Sequence, residues 1–202
     1  MKGRPIIMSG GEVRAILEGR KSQMRRPIKP QPGVDKDFFG WRKDFACFGV
    51  SPMTTLDVRS TYIPGDHLWV KETFVGCPDG ISFLYKADPM FAGCNKGDFT
   101  WNWKSPMYMP RRASRILLKI TNIRVERLQD ITEKDAKAEG IGLKDTINVT
   151  ATNPPMPFKH AYAMYWDNKH YAKGWNYKIH TKGNRWDDNP WVFVIEFKVV
   201  NK

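Results

Sequence analysis

The sequence predicts an α+β fold in which short helices flank a small curled mixed sheet or β-barrel, with long ordered loops between the elements. The first observation behind this is the order of elements, which is helix, strands, helix, helix, strand. The second is the composition, because 41% apolar and 27% charged residues in a 202-residue chain are typical of a folded protein. No internal repeat or shift in composition divides the chain, so we expect a single domain over residues 1–202.

The first element is a helix whose start and end are both marked. Ser9 and Glu12 have the spacing of a capping box, in which each side chain satisfies a backbone N–H left unpaired by the first turn. Val13 and Ile16 fall on one face at helical spacing, and Gly19 can take the left-handed conformation that ends a helix. We therefore expect a helix that starts after Ser9 and stops at Gly19.

Residue types that favour strands, and side chains that alternate between two faces, predict the strands. The turn signal at 64–66 precedes a strand over 67–75, and residues 81–87 are its expected hairpin partner. Residues 114–126 alternate most clearly, and residues 191–200 alternate again near the end of the chain. These segments supply the predicted sheet.

Two further helices are expected in the second half of the chain. Thr132 begins a capped helix of about two turns that ends at Gly140. An aromatic stripe predicts an amphipathic helix from Phe158 to about Tyr171. The segments at about 30–63, 88–112 and 142–157 are rich in turn formers and are predicted to be long loop insertions.

Positive charge dominates the chain and is concentrated after the first helix. There are 33 basic and 21 acidic residues, a net charge of +12, and the sequence pI is about 9.7. Five of the ten residues in segment 20–29 are basic and none is acidic, and the segment directly follows the predicted first helix. A polyanion is the expected partner of such a surface, and a solvated basic face is the alternative interpretation.

The cysteines and histidines predict neither a disulfide framework nor a metal site. Cys47, Cys77 and Cys94 are far apart and include no Cys-x-x-Cys pair, and the four histidines lack ligand spacing. We expect no metal and no cofactor. No apolar run approaches the ~20 residues that cross a bilayer, and the N-terminus does not read as a signal peptide, so we expect a cytoplasmic protein without a membrane partner.

Several segments resemble a known family. Residues 17–26, LEGRKSQMRR, resemble the Gly-Arg-Lys-Thr-x-Thr-x-Arg signature of ASCH domains, which belong to the PUA-like superfamily of RNA-associated β-barrels. Residues 64–72 are similar to the family's Gly-Asp turn and following strand, residues 128–141 to its short helix, and residues 192–197 to its closing strand. The Met-Pro-Arg-x-Ala-Ser-Arg pattern at 109–115 is similar to relatives in phages and prophages, which implies the cytoplasm of a bacterial host.

The resemblance implies RNA binding in a cleft between barrel and helices, and it raises the question of catalysis. Small bacterial ASCH proteins hydrolyse N(4)-acetylcytidine with a lysine, a threonine and a glutamate. The lysine corresponds to Lys21 and the glutamate to Glu139, but Met24 stands at the threonine position. A thioether cannot replace a nucleophilic or proton-donating hydroxyl. Ser22 is the candidate substitute, and the amidohydrolase activity remains an alternative.

The leading hypothesis is an ASCH-type protein that binds RNA or a nucleotide in a basic cleft that contains Lys21, Arg25 and Arg26. Trp69 is a candidate base-stacking platform, but a tryptophan on a strand more often lies in the core, and a place in the core is the interpretation we favour. The predicted nucleic-acid-binding residues are Arg20, Lys21, Arg25, Arg26, Lys29, Trp69, Arg111, Arg112 and Arg115. A third hypothesis is a phage protein whose basic face binds a host or virion protein.

Overall fold

The computed structural model describes residues 3–32, 36–50, 55–91, 102–142, 157–170 and 184–200. The strands in these ranges are β1 (Gly3–Ile7), β2 (Gln23–Pro27), β3 (Asp37–Arg42), β4 (Phe45–Gly49), β5 (Thr55–Arg59), β6 (His67–Lys71), β7 (Phe74–Gly76), β8 (Phe83–Tyr85), β9 (Leu117–Arg127) and β10 (Trp191–Val200). The helices are α1 (Gly10–Leu17), α2 (Glu133–Ala138) and α3 (Phe158–His170). The α+β class is confirmed.

A five-stranded mixed sheet in the order β1-β6-β9-β10-β2 forms the centre of the fold. β1 pairs with β6 in parallel, and the other neighbours are antiparallel. A β-bulge between Glu196 and Phe197 interrupts the β9–β10 ladder, and a bulge increases the local twist of a strand. Within the described residues β1 and β2 are the outer strands and the sheet is not closed, so the structure has the mixed sheet rather than the barrel.

β10 is buried on both faces and separates two parts of the core. Phe193 and Ile195 pack with α1 and the neighbouring strands on one side, whereas Val192 and Val194 lie under α2 and α3 on the other. β2 runs alongside β10 and shares this division. Met24 is therefore in the first part of the core, and Arg25 is on the face covered by the helices.

The prediction of a loop over 30–63 is wrong for the described residues, because β3, β4 and β5 form an antiparallel three-stranded sheet. Aromatic residues of this sheet pack against each other and against β10: Phe48 lies 5.5 Å from Phe38 and 5.3 Å from Trp191 between ring centroids. Gly40, with φ of 138°, lies where the pairing register of β3 shifts, which breaks the alternation along β3. The strands depend on contact with β10, which local pattern does not reveal.

The other predicted elements agree with the structure in type. The capping box of α1 is present, Gly19 has φ of +72°, and β7 and β8 form the expected hairpin. The predicted strand 67–75 is split into β6 and β7, and β9 begins at Leu117 rather than at residue 114. The loop prediction at 143–156 lies outside the described residues.

The predicted loop 88–112 contains short helical turns where it is described. Pro89–Phe91, Pro106–Tyr108 and Arg111–Ala113 form 3-10 turns, and Trp103 packs edge-on against Phe91 at 5.2 Å. Residues 92–101 lie outside the described ranges. No helix in the described ranges is both long and apolar enough to span a bilayer.

Candidate functional site

The end of α2 holds the segment after α1 in place. Lys21 and Glu139 form an antiparallel bridge, and the Ser22 N–H donates to the Ala138 carbonyl at 2.9 Å. Gly140 has φ of +79°, and a Cβ added there would lie 2.6 Å from the Lys21 Cβ and 2.7 Å from the Ala15 Cβ. Because glycine alone accommodates both this conformation and this approach, α1, Lys21 and α2 meet in one fixed arrangement.

Lys21 and Glu139 form a fully buried ion pair. The Lys21 Nζ donates to Glu139 Oε2 at 3.0 Å and to the Glu139 carbonyl at 2.8 Å, and it lies 3.9 Å from Glu12 Oε1. The exposed fractions of the two side chains in the pair are 0% and 3%. The two residues that the family resemblance singles out are therefore in direct contact, but they are enclosed.

Arg25 occupies the other oxygen of the same carboxylate. Its Nη1 donates to Glu139 Oε1 at 3.0 Å and its Nε donates to Glu126 Oε1 at 3.0 Å, and Asp135 Oδ2 is 3.6 Å from Nη2. Burial by itself lowers the pKa of Arg25, but Glu139 and Glu126 raise it above its ordinary value. The guanidinium therefore remains charged, and both oxygens of Glu139 already have cationic partners.

Helix α3 covers this cluster from the side facing away from the main sheet. Lys169 Nζ donates to Glu12 Oε1 at 2.7 Å and to the Tyr165 hydroxyl at 3.3 Å. The helix is docked by α2, because the backbone N–H groups of Phe158 and Lys159 donate to the Glu133 carboxylate at 2.8 and 3.1 Å. The start of α3 is thus capped by a side chain from another helix.

The charges under α3 shift the pKa values of the groups they surround. Burial alone raises the pKa of Glu12, but Lys169 and Lys21 lower it far below its usual range. Burial lowers the pKa of Lys169, against the effect of Glu12. Burial and the nearby carboxylates raise the pKa of Tyr165, so its phenol stays protonated at neutral pH. Glu12 is therefore ionised in the folded protein.

We call these interacting charged residues the inner ion network: Glu12, Lys21, Arg25, Glu126, Asp135, Glu139 and Lys169. Arg124 also pairs with Glu126 and Asp135, each at 3.1 Å, and with Glu196. With Arg124 included, four cations are matched by at least four carboxylates, so the network has no surplus positive charge for a phosphate. Met24 is 1% exposed and points into the core, and Ser22 is exposed whereas the Lys21 amine is buried. Neither candidate position brings a hydroxyl to that amine.

An open basic groove lies on the other side of the same segment. The cavity has a volume of about 930 Å³, and the residues that line it, which we call the basic groove, are Arg14, Glu18, Arg20, Ser22, Lys134, Lys137, Ala138, Ile141, Gly142 and Phe158. Among the described residues, four cations and one carboxylate line the cavity, and that carboxylate pairs with Arg20 at 2.6 Å. Lys137 lies 4.9 Å from the centroid of the Phe158 ring. The groove combines excess positive charge with apolar surface.

Trp69 lies on the outer face of β6 and is not part of the core. Leu68 and Val70 point inward, and Trp69 is half-buried between two cations, with Lys71 Nζ at 5.5 Å and the Arg111 guanidinium carbon at 5.6 Å from its ring. These residues form a second basic and aromatic surface. Arg112 is not in this group: it is exposed and its guanidinium carbon lies 5.7 Å from the centroid of the Phe83 ring.

The remaining predicted binding residues lie elsewhere. Arg115 bonds Glu72 at 2.9 and 3.0 Å and Asp88 at 2.6 Å, so its guanidinium is already engaged by carboxylates. Arg26 is half-buried and donates to the Ile7 carbonyl at 3.4 Å. Lys29 is exposed just beyond β2 and does not line the groove.

The predicted site residues thus divide among separate environments. Arg20 and Ser22 line the basic groove, Lys21, Arg25 and Glu139 form the inner ion network, and Trp69 and Arg111 lie together on the outer face of β6. Sequence reasoning missed the groove cations Arg14, Lys134 and Lys137. The spacing of Lys134 and Lys137, three residues apart on a short capped helix, was the available signal.

No family model matches the chain, and no match was found among curated proteins or among solved structures. The chemistry of the described surfaces is therefore the basis on which function is argued.

Proposed function

We propose that this protein binds nucleic acid, RNA or a nucleotide-sized part of it, through the basic groove, and that it is a phage- or prophage-type ASCH protein of the PUA-like superfamily. The observation that carries the proposal is the imbalance of charge in the groove, an open cavity of about 930 Å³ that is lined, in the described part of the chain, by four cations and one carboxylate. A polyanion gains affinity at such a surface because lysine and arginine side chains neutralise its phosphates and so release the counterions that were condensed on it.

The groove side chains suit the two halves of a nucleotide. Arg14 offers a planar fork for phosphate oxygens, and Lys134 and Lys137 offer compact charges. The Arg20 guanidinium bonds Glu18 and contributes positive charge to the wall rather than an open fork. Phe158 and Ile141 provide apolar surface for a base or a sugar. Arg20 is held in place because its Nη1 donates to the Gly140 carbonyl at 2.6 Å.

The inner ion network has a positioning role in this proposal. It ties together α1, β2, α2 and α3, the elements that carry the walls of the groove. Its cations are neutralised by carboxylates, so we assign the affinity for phosphate to the groove and not to Lys21 or Arg25.

Binding of fluorescently labelled single-stranded RNA, measured by anisotropy over a salt series, tests the proposal. The variant Arg20→Ala with Lys134→Ala and Lys137→Ala removes three groove cations. The slope of log K against log salt is about −0.7 per phosphate for single strands, so we expect the slope to shrink by about 2.

The control variant removes the same charge from exposed positions outside the groove: Arg42→Ala, Arg59→Ala and Lys198→Ala. We expect the control to keep the slope of the unmodified protein. Equal losses in both variants would show that net charge alone drives binding. Absence of binding to any RNA or DNA at low salt would remove the proposal.

Hydrolysis of N(4)-acetylcytidine-like acylated nucleosides is the second candidate function, and the contact between Lys21 and Glu139 at 3.0 Å is the observation in its favour. The burial of both side chains and the bond from Arg25 to Glu139 oppose it. Incubation with N(4)-acetylcytidine and mass detection of cytidine tests it, with Lys21→Ala as the control for contaminating activity. No product from the unmodified protein removes this candidate.

A further inference from the structure

A second cavity lies at the β7–β8 hairpin, away from the groove and the inner ion network. Its volume is about 570 Å³, which falls in the range of about 300–1,000 Å³ common for small-molecule sites. Its walls come from the hairpin, from the segment around Lys104 and from the turns that contain Tyr108 and Arg112. None of its lining residues appears among the lining residues of the basic groove.

The backbone around this cavity is held firmly by hydrogen bonds. Phe74 and Lys104 exchange two backbone hydrogen bonds, at 2.8 and 3.3 Å, which add a third chain segment to the hairpin. The Asp79 carboxylate accepts from the N–H groups of Ile81 and Ser82 at 2.9 and 2.8 Å and fixes the hairpin loop. The cavity is therefore formed before any ligand binds.

The lining side chains are aromatic and cationic. Tyr108 is 76% exposed, and the Arg112 guanidinium carbon lies 5.7 Å from the centroid of the Phe83 ring. Lys104 is also exposed at this cavity. Among the residues that the structure describes, no carboxylate side chain lines the cavity, and neither Arg112 nor Lys104 forms an ion pair.

This combination matches a ligand that joins an aromatic ring to an anion. A planar base gains from contact with tyrosine and phenylalanine rings, and a phosphate gains from a guanidinium and an ammonium that lack carboxylate partners. The Asn102 side-chain amide, which also lines the cavity, can both donate to and accept from the edge of a base.

We propose that the hairpin cavity is a binding site for one nucleotide unit, with its base against Tyr108 and Phe83 and its phosphate at Arg112 and Lys104. The unit is either a free nucleoside monophosphate or one nucleotide of a single strand. The site does not require the basic groove, because the two share no lining residue.

Isothermal titration calorimetry of the full chain with AMP, CMP, GMP and UMP tests the site. Adenosine lacks the phosphate and ribose 5-phosphate lacks the base, and we expect each to bind at least about tenfold more weakly than AMP. Arg112→Ala and Tyr108→Ala are each expected to weaken AMP binding by at least about tenfold. Both side chains are exposed, so the fold should survive, and circular dichroism checks this.

Arg111→Ala is the matched control, because Arg111 is the neighbouring exposed arginine on the same 3-10 turn but lies over Trp69. We expect it to leave AMP affinity within about twofold of the unmodified protein. The proposal is overturned if no nucleotide binds, if ribose 5-phosphate binds as well as AMP, or if Arg111→Ala loses as much affinity as Arg112→Ala.

Two further experiments are needed. The first distinguishes a free nucleotide from one unit of a strand, and the second distinguishes the hairpin cavity from the basic groove. An oligonucleotide whose affinity falls with Arg112→Ala identifies one unit of a strand as an occupant, whereas an effect on AMP alone identifies the free nucleotide. The groove variant with Arg20, Lys134 and Lys137 replaced should still bind AMP. Loss of RNA binding in that variant with retained AMP binding would show that the two sites are independent.

Discussion

Two neighbouring residues, Arg20 and Lys21, lie in opposite environments. The Arg20 side chain is 37% exposed and lines an open groove in which cations outnumber carboxylates, whereas the Lys21 side chain is 0% exposed and surrounded by carboxylates. Because Lys21 bridges to Glu139, the Lys21 side chain points into the protein and the Arg20 side chain points toward solvent. A run of positive charge in the sequence therefore does not define a binding surface until the direction of each side chain and its counter-charges are known.

Loss of Arg25 is expected to give the largest change in stability. Arg25→Ala removes a buried cation from the Glu139 and Glu126 carboxylates, which keep only Lys21 and Arg124 respectively, and we expect this to lower the free energy of unfolding by about 3–5 kcal/mol. Urea denaturation measures this change.

Arg20→Ala is the matched variant on the groove side. Arg20 pairs with Glu18 at the surface, so we expect a loss of no more than about 1 kcal/mol. If the two arginine variants have the same stability, the distinction between a buried network and an open groove is wrong.

Replacement of Met24 is expected to give a smaller loss and no gain of activity. Met24→Thr removes thioether contacts beside Ile195 in the core and buries a hydroxyl there, at a cost of about 2–3 kcal/mol. Met107→Thr, at a methionine that is 68% exposed, should change the stability by less than about 0.5 kcal/mol.

The Met24→Thr variant also tests the catalytic alternative. Because the new hydroxyl would face the core while Lys21 faces Glu139, we expect no hydrolysis of N(4)-acetylcytidine. Cytidine released by this variant, and not by the unmodified protein, would contradict the side-chain directions described above.

The dependence of stability on pH should show the contribution of Glu12. Its folded-state pKa lies below its unfolded value of about 4.3, so its stabilising effect is present above that pH and is lost as the pH falls. Glu12→Gln removes this titration. We expect the variant to be less stable than the unmodified protein at pH 7 and the difference to shrink below about pH 4. A difference that does not change with pH would contradict the pairing with Lys169 and Lys21.

Elements with local signals were predictable from the sequence, and surfaces made by distant segments were not. The capping pairs at Ser9 and Thr132 and the alternation along β10 carry their own information. β3 and β4 do not, because their aromatic residues are explained by packing against β10. β5 is different, since Leu56 and Val58 alternate with polar residues.

The candidate site was predictable only in part for the same reason. Lys21 and Glu139 were paired through the family resemblance, since residues 118 positions apart show no spacing pattern. Arg20 lines the groove whereas Lys21 and Arg25 are buried, and this difference depends on which carboxylates lie opposite each side chain. Trp69 is on the outer face because β6 alternates, and the alternation alone did not say which face was covered.

Photo-cross-linking of RNA containing 4-thiouridine, followed by mass spectrometry of the linked peptides, tests most directly where nucleic acid binds. We predict adducts on groove residues, foremost Arg20, Lys137 and Phe158, and their loss when excess unlabelled RNA competes. Adducts confined to other surfaces, with none in the groove, would contradict the assignment of the groove as the nucleic-acid interface.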